Sequence, residues 1–414
     1  MTAQVWLPGR DGGSAPLVVP EPGWAACYPP PASRRVYAAA HVAASPGRDG
    51  EVIDWESTMR FRDHLWAHGF GVAEAMDTAQ RGMGLSWDQA GELIARSARR
   101  AEQIRVGLVG GTRGGRGAGG GSYDDGSGSS SAVPVAALAC GVGTDQLPDG
   151  EHHSIAQITG AYAEQMAFVQ ATGADVILMA SRALAASARG ARDYLEVYGE
   201  LLRQADRPVI LHWLGEAFDP ALRGYWGSTE FGTAAEVVLE LIDRAGRQVD
   251  GIKLSVLDAG REVTLRRRLP AGVRLYTGDD FNYAELIRGD AEGHSDALLG
   301  AFAAITAPAA AALAALDRGD IAGYDAAIGP TVPLSRVIFE PPTYHYKVGV
   351  AFLAWLNGLQ PHFSMLGGLQ RRRPARYLIR VFELAAAARA LTDPELAAAR
   401  MTGLLATTAG AERA

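Results

Sequence analysis

A lysine interrupts the short apolar run Gly251-Ile-Lys-Leu-Ser255. Lysine is seldom fully buried unless it is paired or used. Side chains alternate along a strand, so Lys253 opposes Ile252 and Leu254. If those two pack against helices, the amine points to the inner face, where lost hydration lowers its pKa from a reference near ~10.4. A neutral amine can attack a carbonyl and form a Schiff base. The alternative is a lysine held by a carboxylate such as Asp279 for structure alone, and the residue chemistry leaves both open.

Other groups able to do chemistry stand at or near the ends of similar runs. Asp77 and Thr78 follow 71–76, Ser181 and Arg182 follow 175–180, His212 lies within 208–214, and Asp279 and Asp280 follow 273–278. A histidine with an ordinary pKa near ~6.5 suits general acid or base work, though His212 reads equally as a core histidine. Arg182 can grip a carboxylate or phosphate with two N–H groups, or form a surface ion pair. Asp77, Thr78, Ser181, Asp279 and Asp280 are candidate substrate contacts; the last two can equally order their own loop. His152 and His153 lack the partners a metal site needs, and the arginine run 371–373 reads as a solvated loop.

These groups need a frame. Eight apolar runs recur at 35–42, 71–76, 133–140, 175–180, 208–214, 251–255, 273–278 and 296–301, separated by segments of helical period. Strands alternating with helices signal a parallel sheet. Eight units in series predict a (β/α)8 TIM barrel, with a doubly wound open sheet as the alternative. In a barrel, chemistry sits at the C-terminal ends of the strands, where the candidates fall. Ser86 and Gln89 have capping-box spacing before a helical stretch. Residues 1–33 read as an extension with a hairpin, 34–330 as the barrel, and 331–414 as a helical C-terminal region. The Gly/Ser-rich segment 110–131 has no Leu, Ile, Val or Phe, and reads as a flexible insertion.

Composition narrows the function. Among 414 residues, 39 Lys and Arg against 46 Asp and Glu give a net charge of −7, which offers no general attraction to nucleic acid or anionic membrane. Two distant cysteines, Cys27 and Cys140, form no disulfide framework and suggest a reducing cytoplasm. The uncharged stretch 297–316 contains Pro308 and reads as a strand and a buried helix, not a membrane span.

The chain resembles the dihydrodipicolinate synthase / N-acetylneuraminate lyase family. The motifs are GIK in the sixth run, GDD after the seventh, GHSDALLGAFAAI before ALDRGD, IFEPPTYHYKVGVAFL at 338–353, GVAEAMDTAQRGMGLSWDQAGEL in the second unit and PVILHWLG in the fifth. They occur in the family's order across roughly 35–390, apart from the glycine-rich insertion. The resemblance implies a class I aldolase on a (β/α)8 barrel with a helical extension, no cofactor, a small-molecule carbonyl substrate and a homo-oligomer, dimer or tetramer. It makes Lys253 the Schiff-base lysine, and Thr78 one of a pair of threonines reduced here to one. The family's relay tyrosine in the fourth strand is absent; Arg182 falls near that place, and His212 replaces the fifth-strand tyrosine. Glu340 and Lys347 are expected to pack the C-terminal region on the barrel. Tyr344, His345 and Tyr346 are expected near the barrel mouth.

The expectation is a Schiff-base lyase acting on a 2-oxo acid, with Lys253 and His212 as its chemical pair. Dehydratase or hydrolase chemistry through the same imine is a variant. The alternatives are a binding barrel that lost its chemistry, and a metal-dependent barrel enzyme using His41, His212, His294 and the acidic strand ends.

Overall fold

A computed structural model describes residues 3–8, 13–48, 50–111, 135–148 and 150–411. The strands are β1 (Gln4–Pro8), β2 (Ser14–Val18), β3 (Val36–Ala39), β4 (Ala44–Gly47), β5 (Gly50–Ile53), β6 (Gly71–Glu74), β7 (Leu138–Val142), β8 (Asp175–Leu178), β9 (Val209–Leu214), β10 (Val249–Ser255), β11 (Arg274–Thr277) and β12 (Asp296–Leu299). Eight of them, β3 and β6 to β12, close into a barrel in chain order, each pairing in parallel with the next and β12 with β3. The open-sheet alternative is thereby excluded. Each barrel strand falls within or overlaps one of the eight apolar runs read from the sequence.

Alternation sorts the side chains into two cores. Tyr37, Ala39, Ala73, Ala139, Ile177, Ile210, Tyr276 and Leu298 form the inner cluster. Their neighbours along the strands, among them Val36, Val72, Leu211, Ile252 and Leu254, join the larger core under the helices. The inner layer mixes small and large residues, as a filled barrel requires. Tyr276 needs room beside it: a Cβ on Gly251 would meet its ring at 2.8 Å. The N-terminal end is plugged by charge. Arg35 meets Asp250 at 2.9 Å, Arg274 meets Asp296 at 3.3 Å, and the Tyr276 hydroxyl donates to Asp250.

Local signals explain the helices. The Ser86 and Gln89 side chains bond each other's backbone N–H at 3.3 and 3.0 Å, completing the expected capping box before the helix Trp87–Gly111. Asp54 caps Trp55–Ala67 through the N–H of Ser57. After β12 come Ala301–Ala304, Thr306–Asp317, Ile321–Ile328, Thr331–Ile338, Lys347–Leu356, Ala375–Ala387 and Pro394–Ala411. The expected N-terminal hairpin is β1–β2, and β1 packs on the last of these helices. The hairpin β4–β5 was not expected, although the sequence there carries the Pro-Gly and Asp-Gly pairs that favour turns. The Gly/Ser-rich insertion from residue 112 onward lies outside the described residues. Among the described residues no helix is long and apolar enough to cross a membrane.

Arg373 corrects one sequence expectation. It is buried and donates to the carbonyls of Glu340, Pro341 and Pro342. A guanidinium with five donors can be buried where several carbonyls converge, and a charge run alone does not reveal that convergence. Glu340 pairs with Arg380 at 3.2 Å and so ties two C-terminal segments to each other, where it was expected to tie them to the barrel.

Candidate functional site

The site is built at the C-terminal ends of the barrel strands. Lys253 is aligned with His212 of β9 and Tyr276 of β11. Ile252 and Leu254, on either side of it, lie in the outer core, so the lysine stem runs inward. Lys253 is 7% exposed. Burial lowers its pKa, and the charges of Asp77 and Asp280 partly oppose that shift. Gly278 makes the stem's position possible, because a Cβ there would meet Lys253 Cε at 2.9 Å and also strike the Ser255 hydroxyl.

Asp280, buried after β11, accepts the Ala301 N–H at 2.9 Å. Burial raises its pKa, while that N–H and the Lys253 charge pull it back. Asp279 faces its own turn, accepting from the N–H groups of Phe281 and Asn282 and from the Asn282 side chain. The carboxylates whose charges act on the lysine are thus Asp77 and then Asp280, and not Asp279.

His212 is fully buried; its Nε2 lies 3.3 Å from the Ser255 hydroxyl, and among the described residues its Nδ1 has no partner. Burial, and then the Lys253 charge, push its pKa well below the ordinary histidine value. The expectation of a histidine titrating near its ordinary value gives way to a neutral imidazole beside the lysine. The cause is the dry barrel interior, invisible in a local sequence window.

Thr78 lies in a short 3-10 turn, Asp77–Ala79, just past β6. Its hydroxyl meets the Tyr346 hydroxyl at 2.7 Å, both buried. Tyr346 precedes the helix Lys347–Leu356 and stacks on Phe339 with ring centroids 4.4 Å apart. Burial, then the charge of Asp77, push its pKa well up, so it stays a neutral phenol. Gly300 lies against this pair: a Cβ there would be 3.1 Å from the Tyr346 ring and 3.5 Å from the Thr78 hydroxyl.

The loop bearing Asp77 and Thr78 is held from behind. Glu74 takes both nitrogens of a two-point Arg62 contact at 2.7 and 2.8 Å, the Ser97 hydroxyl at 2.6 Å and the Ala75 N–H at 2.9 Å, all buried. Ala75 has φ 53°, a conformation non-glycine residues rarely adopt. Farther along, Arg81 bonds Asp145 and Gln165 and donates to the carbonyls of Ala75 and Gly141, tying this loop to the one after β7.

Two adjoining cavities open at this end of the barrel and share Asp77 and Arg182, while Lys253, His212, Thr78 and Asp280 line neither. The larger, about 800 Å³, spans the ends of β6 to β9 and is lined by Asp77, Ser181 and Arg182 among others. The smaller, about 280 Å³, is lined by Asp77, Arg182, Asp219, Tyr344, Tyr346 and Lys347, with others. Ser181 also caps a short helix through the Leu184 N–H and bonds Thr144 at 2.6 Å. Arg182 donates to Asp219 at 2.6 Å and is half exposed.

Sequence reasoning had brought Lys253, His212, Asp77, Thr78, Asp280, Ser181 and Arg182 to one end of a barrel, and the structure brings them to the same end. It had not singled out Arg81 or Asp219, and had given Lys347 only a packing role. Lys347 in fact lines the smaller cavity. The three histidines of the metal alternative do not meet. His41 Nε2 bonds Gln360 at 2.7 Å, and His294 lies just before β12, at the opposite end of the barrel. Among the described residues no three His, Cys, Asp or Glu side chains group as metal ligands would.

Solved structures with this fold include dihydrodipicolinate synthases. That of Aquifex aeolicus is 13% identical, with a TM-score of 0.60 over 86% of this chain and 99% of that one. That of Thermotoga maritima is 15% identical, with a TM-score of 0.58 over 87% and 100%. That of Bacillus clausii is 14% identical, with a TM-score of 0.59 over 86% and 98%. At such identities the likeness is one of fold. No curated protein matches the chain. The sequence model of the family described as "Protein of unknown function (DUF993)" matches residues 5–118 and 125–410, and the chain belongs to that family.

Proposed function

We propose that this protein is a Schiff-base-forming lyase that makes or breaks a C–C bond in a 2-oxo acid or related carbonyl compound, with Lys253 as nucleophile. The observation that carries the reading is an inward amine whose charged form burial disfavours, with the charges of Asp77 and Asp280 acting both on it and on the Tyr346 phenol that meets Thr78. The name carried by the solved structures that share the fold supports the same class of chemistry by analogy only.

The neutral Lys253 amine adds to the C2 carbonyl, and the oxygen leaves as water after taking up protons, giving a protonated imine. That imine draws electrons from the adjacent carbon. In cleavage, the C3–C4 bond breaks, its electron pair forms the enamine, and the proton of a C4 hydroxyl departs as the new carbonyl forms. In condensation the same steps run backward. Tyr346 and Thr78 would pass the protons, in place of the missing fourth-strand tyrosine. His212, held neutral, would hydrogen-bond beside the imine and not titrate. Asp280 would balance the imine charge, and Asp279 would hold the turn that presents Asp280. Asp77, Ser181 and Arg182 would meet the substrate's polar groups. No cofactor enters this scheme, and association of chains into a homo-oligomer in the cytoplasm belongs to the same proposal.

Borohydride reduction in the presence of pyruvate, other 2-oxo acids and aldehydes tests the reading. The expected result is a stable mass adduct on the peptide containing Lys253, absent in Lys253→Ala. A folded wild-type protein that gives no adduct with any of these would overturn it.

A further inference from the structure

Lys347 is a second buried lysine that the proposed imine chemistry does not use. It is 3% exposed. Its amine donates to the Tyr344 carbonyl at 3.0 Å and approaches the Met83 sulfur at 3.5 Å, and among the described residues it has no ion-pair contact. An ammonium without a contacting anion is costly to bury. Lys347 also begins a helix of 10 residues, whose N-terminal end carries partial positive charge. Lys347 and Tyr346, at the start of that helix, line the 280 Å³ cavity.

Asp77 connects this corner to the proposed imine. It lines the same cavity, and its charge acts on both Lys253 and Lys347. Arg182 also lines the cavity, next to Asp219. Among the described residues, the amine of Lys347 is therefore the cation lining this cavity that no carboxylate touches, and Asp77 is the charge it shares with the proposed nucleophile.

Resting on the Schiff-base reading, we propose that this cavity is a subsite for a second anionic group, so that the substrate condensing at Lys253 is a 2-oxo acid with a carboxylate or phosphate at its far end. Lys347 donates to that group and Arg182 flanks it. The cavity supplies the specificity, and Lys253 supplies the bond.

The experiment has two arms. In the first, borohydride trapping is titrated with 2-oxoglutarate and oxaloacetate against 2-oxobutyrate and pyruvate. Half-maximal trapping is expected at least about tenfold lower for the two dicarboxylates. The ratio should fall toward one in Lys347→Met and persist in Lys347→Arg. In the second arm, calorimetry measures glutarate and inorganic phosphate binding to wild type and to Lys347→Met, with no carbonyl present. Binding of either that depends on Lys347 supports the subsite, and the tighter of the two names its group. Trapping on Lys253 without any preference for dicarboxylates overturns the subsite and leaves the lyase reading standing. Lys347-dependent anion binding with no trapping overturns the lyase reading and leaves the subsite. Wild type that binds neither glutarate nor phosphate and shows no dicarboxylate preference overturns the subsite with no variant needed.

Discussion

The hydroxyls of Thr78 and Tyr346 share a buried hydrogen bond of 2.7 Å across 268 residues of sequence. One comes from the loop after β6, the other from the helical region beyond the barrel. If this pair passes protons, Tyr346→Phe leaves the Lys253 adduct able to form but slows the steps that follow it. Loss of a positioned proton carrier costs about 10² or more in rate. Exchange of C3 protons of bound 2-oxo acid for deuterium, followed by mass, should slow by that factor while borohydride trapping persists. Equal loss of both would point to a structural role for Tyr346.

Lys253 reacts only when neutral. Its pKa is lowered by burial, so trapping should rise with pH through a midpoint below the ordinary lysine value of 10.5. Asp280 opposes that lowering. Asp280→Asn removes the opposing charge while its side-chain oxygen can still accept the Ala301 N–H. The midpoint should therefore move to lower pH. A midpoint that stays put or moves up would show that Asp280 carries no charge beside the amine.

Glu262 is buried among the Ser295 and Thr277 hydroxyls, at 2.7 and 3.0 Å. Burial pushes its pKa from 4.5 up to about 8. The folded state then holds this proton more tightly than the unfolded chain. Its stabilising contribution is full below pH 4.5 and is lost as pH rises toward 8, at up to about 1.4 kcal/mol per pH unit. Glu262→Gln should flatten stability against pH between 5 and 8 and be the more stable protein at pH 8, measured by urea unfolding.

The Arg62–Glu74 pair is buried on both sides. Removing one partner leaves an uncompensated charge and costs about 3–5 kcal/mol. Arg62→Met should lower the urea midpoint accordingly, with an unchanged slope. Arg62→Met combined with Glu74→Leu should recover part of the loss. An Arg62→Met protein as stable as wild type would refute the assignment.

The barrel was legible because each strand carries its own apolar run, and alternation around Lys253 gave the direction of its side chain. What sequence reading could not supply was lateral and long-range. That Asp280 and not Asp279 reaches the lysine depends on a turn that Asp279 closes on itself. The depressed pKa of His212 depends on seven other strands drying the interior. Tyr346 was expected near the barrel mouth, yet its partner Thr78 lies 268 residues away, and nothing local pairs the two. Lys347 looked like packing because its neighbours Val348 to Leu356 are apolar; the cavity before it is made by other loops.

The distance in sequence between Thr78 and Tyr346 also sets an order of assembly. A ribosome finishes β12 at residue 299 well before it reaches Tyr346. All eight barrel strands, Lys253 among them, are therefore made while Thr78 still lacks its phenol. The lysine and the completed hydroxyl pair thus belong to separate stages of synthesis, and that pair becomes whole only when the segment beyond the barrel is in place.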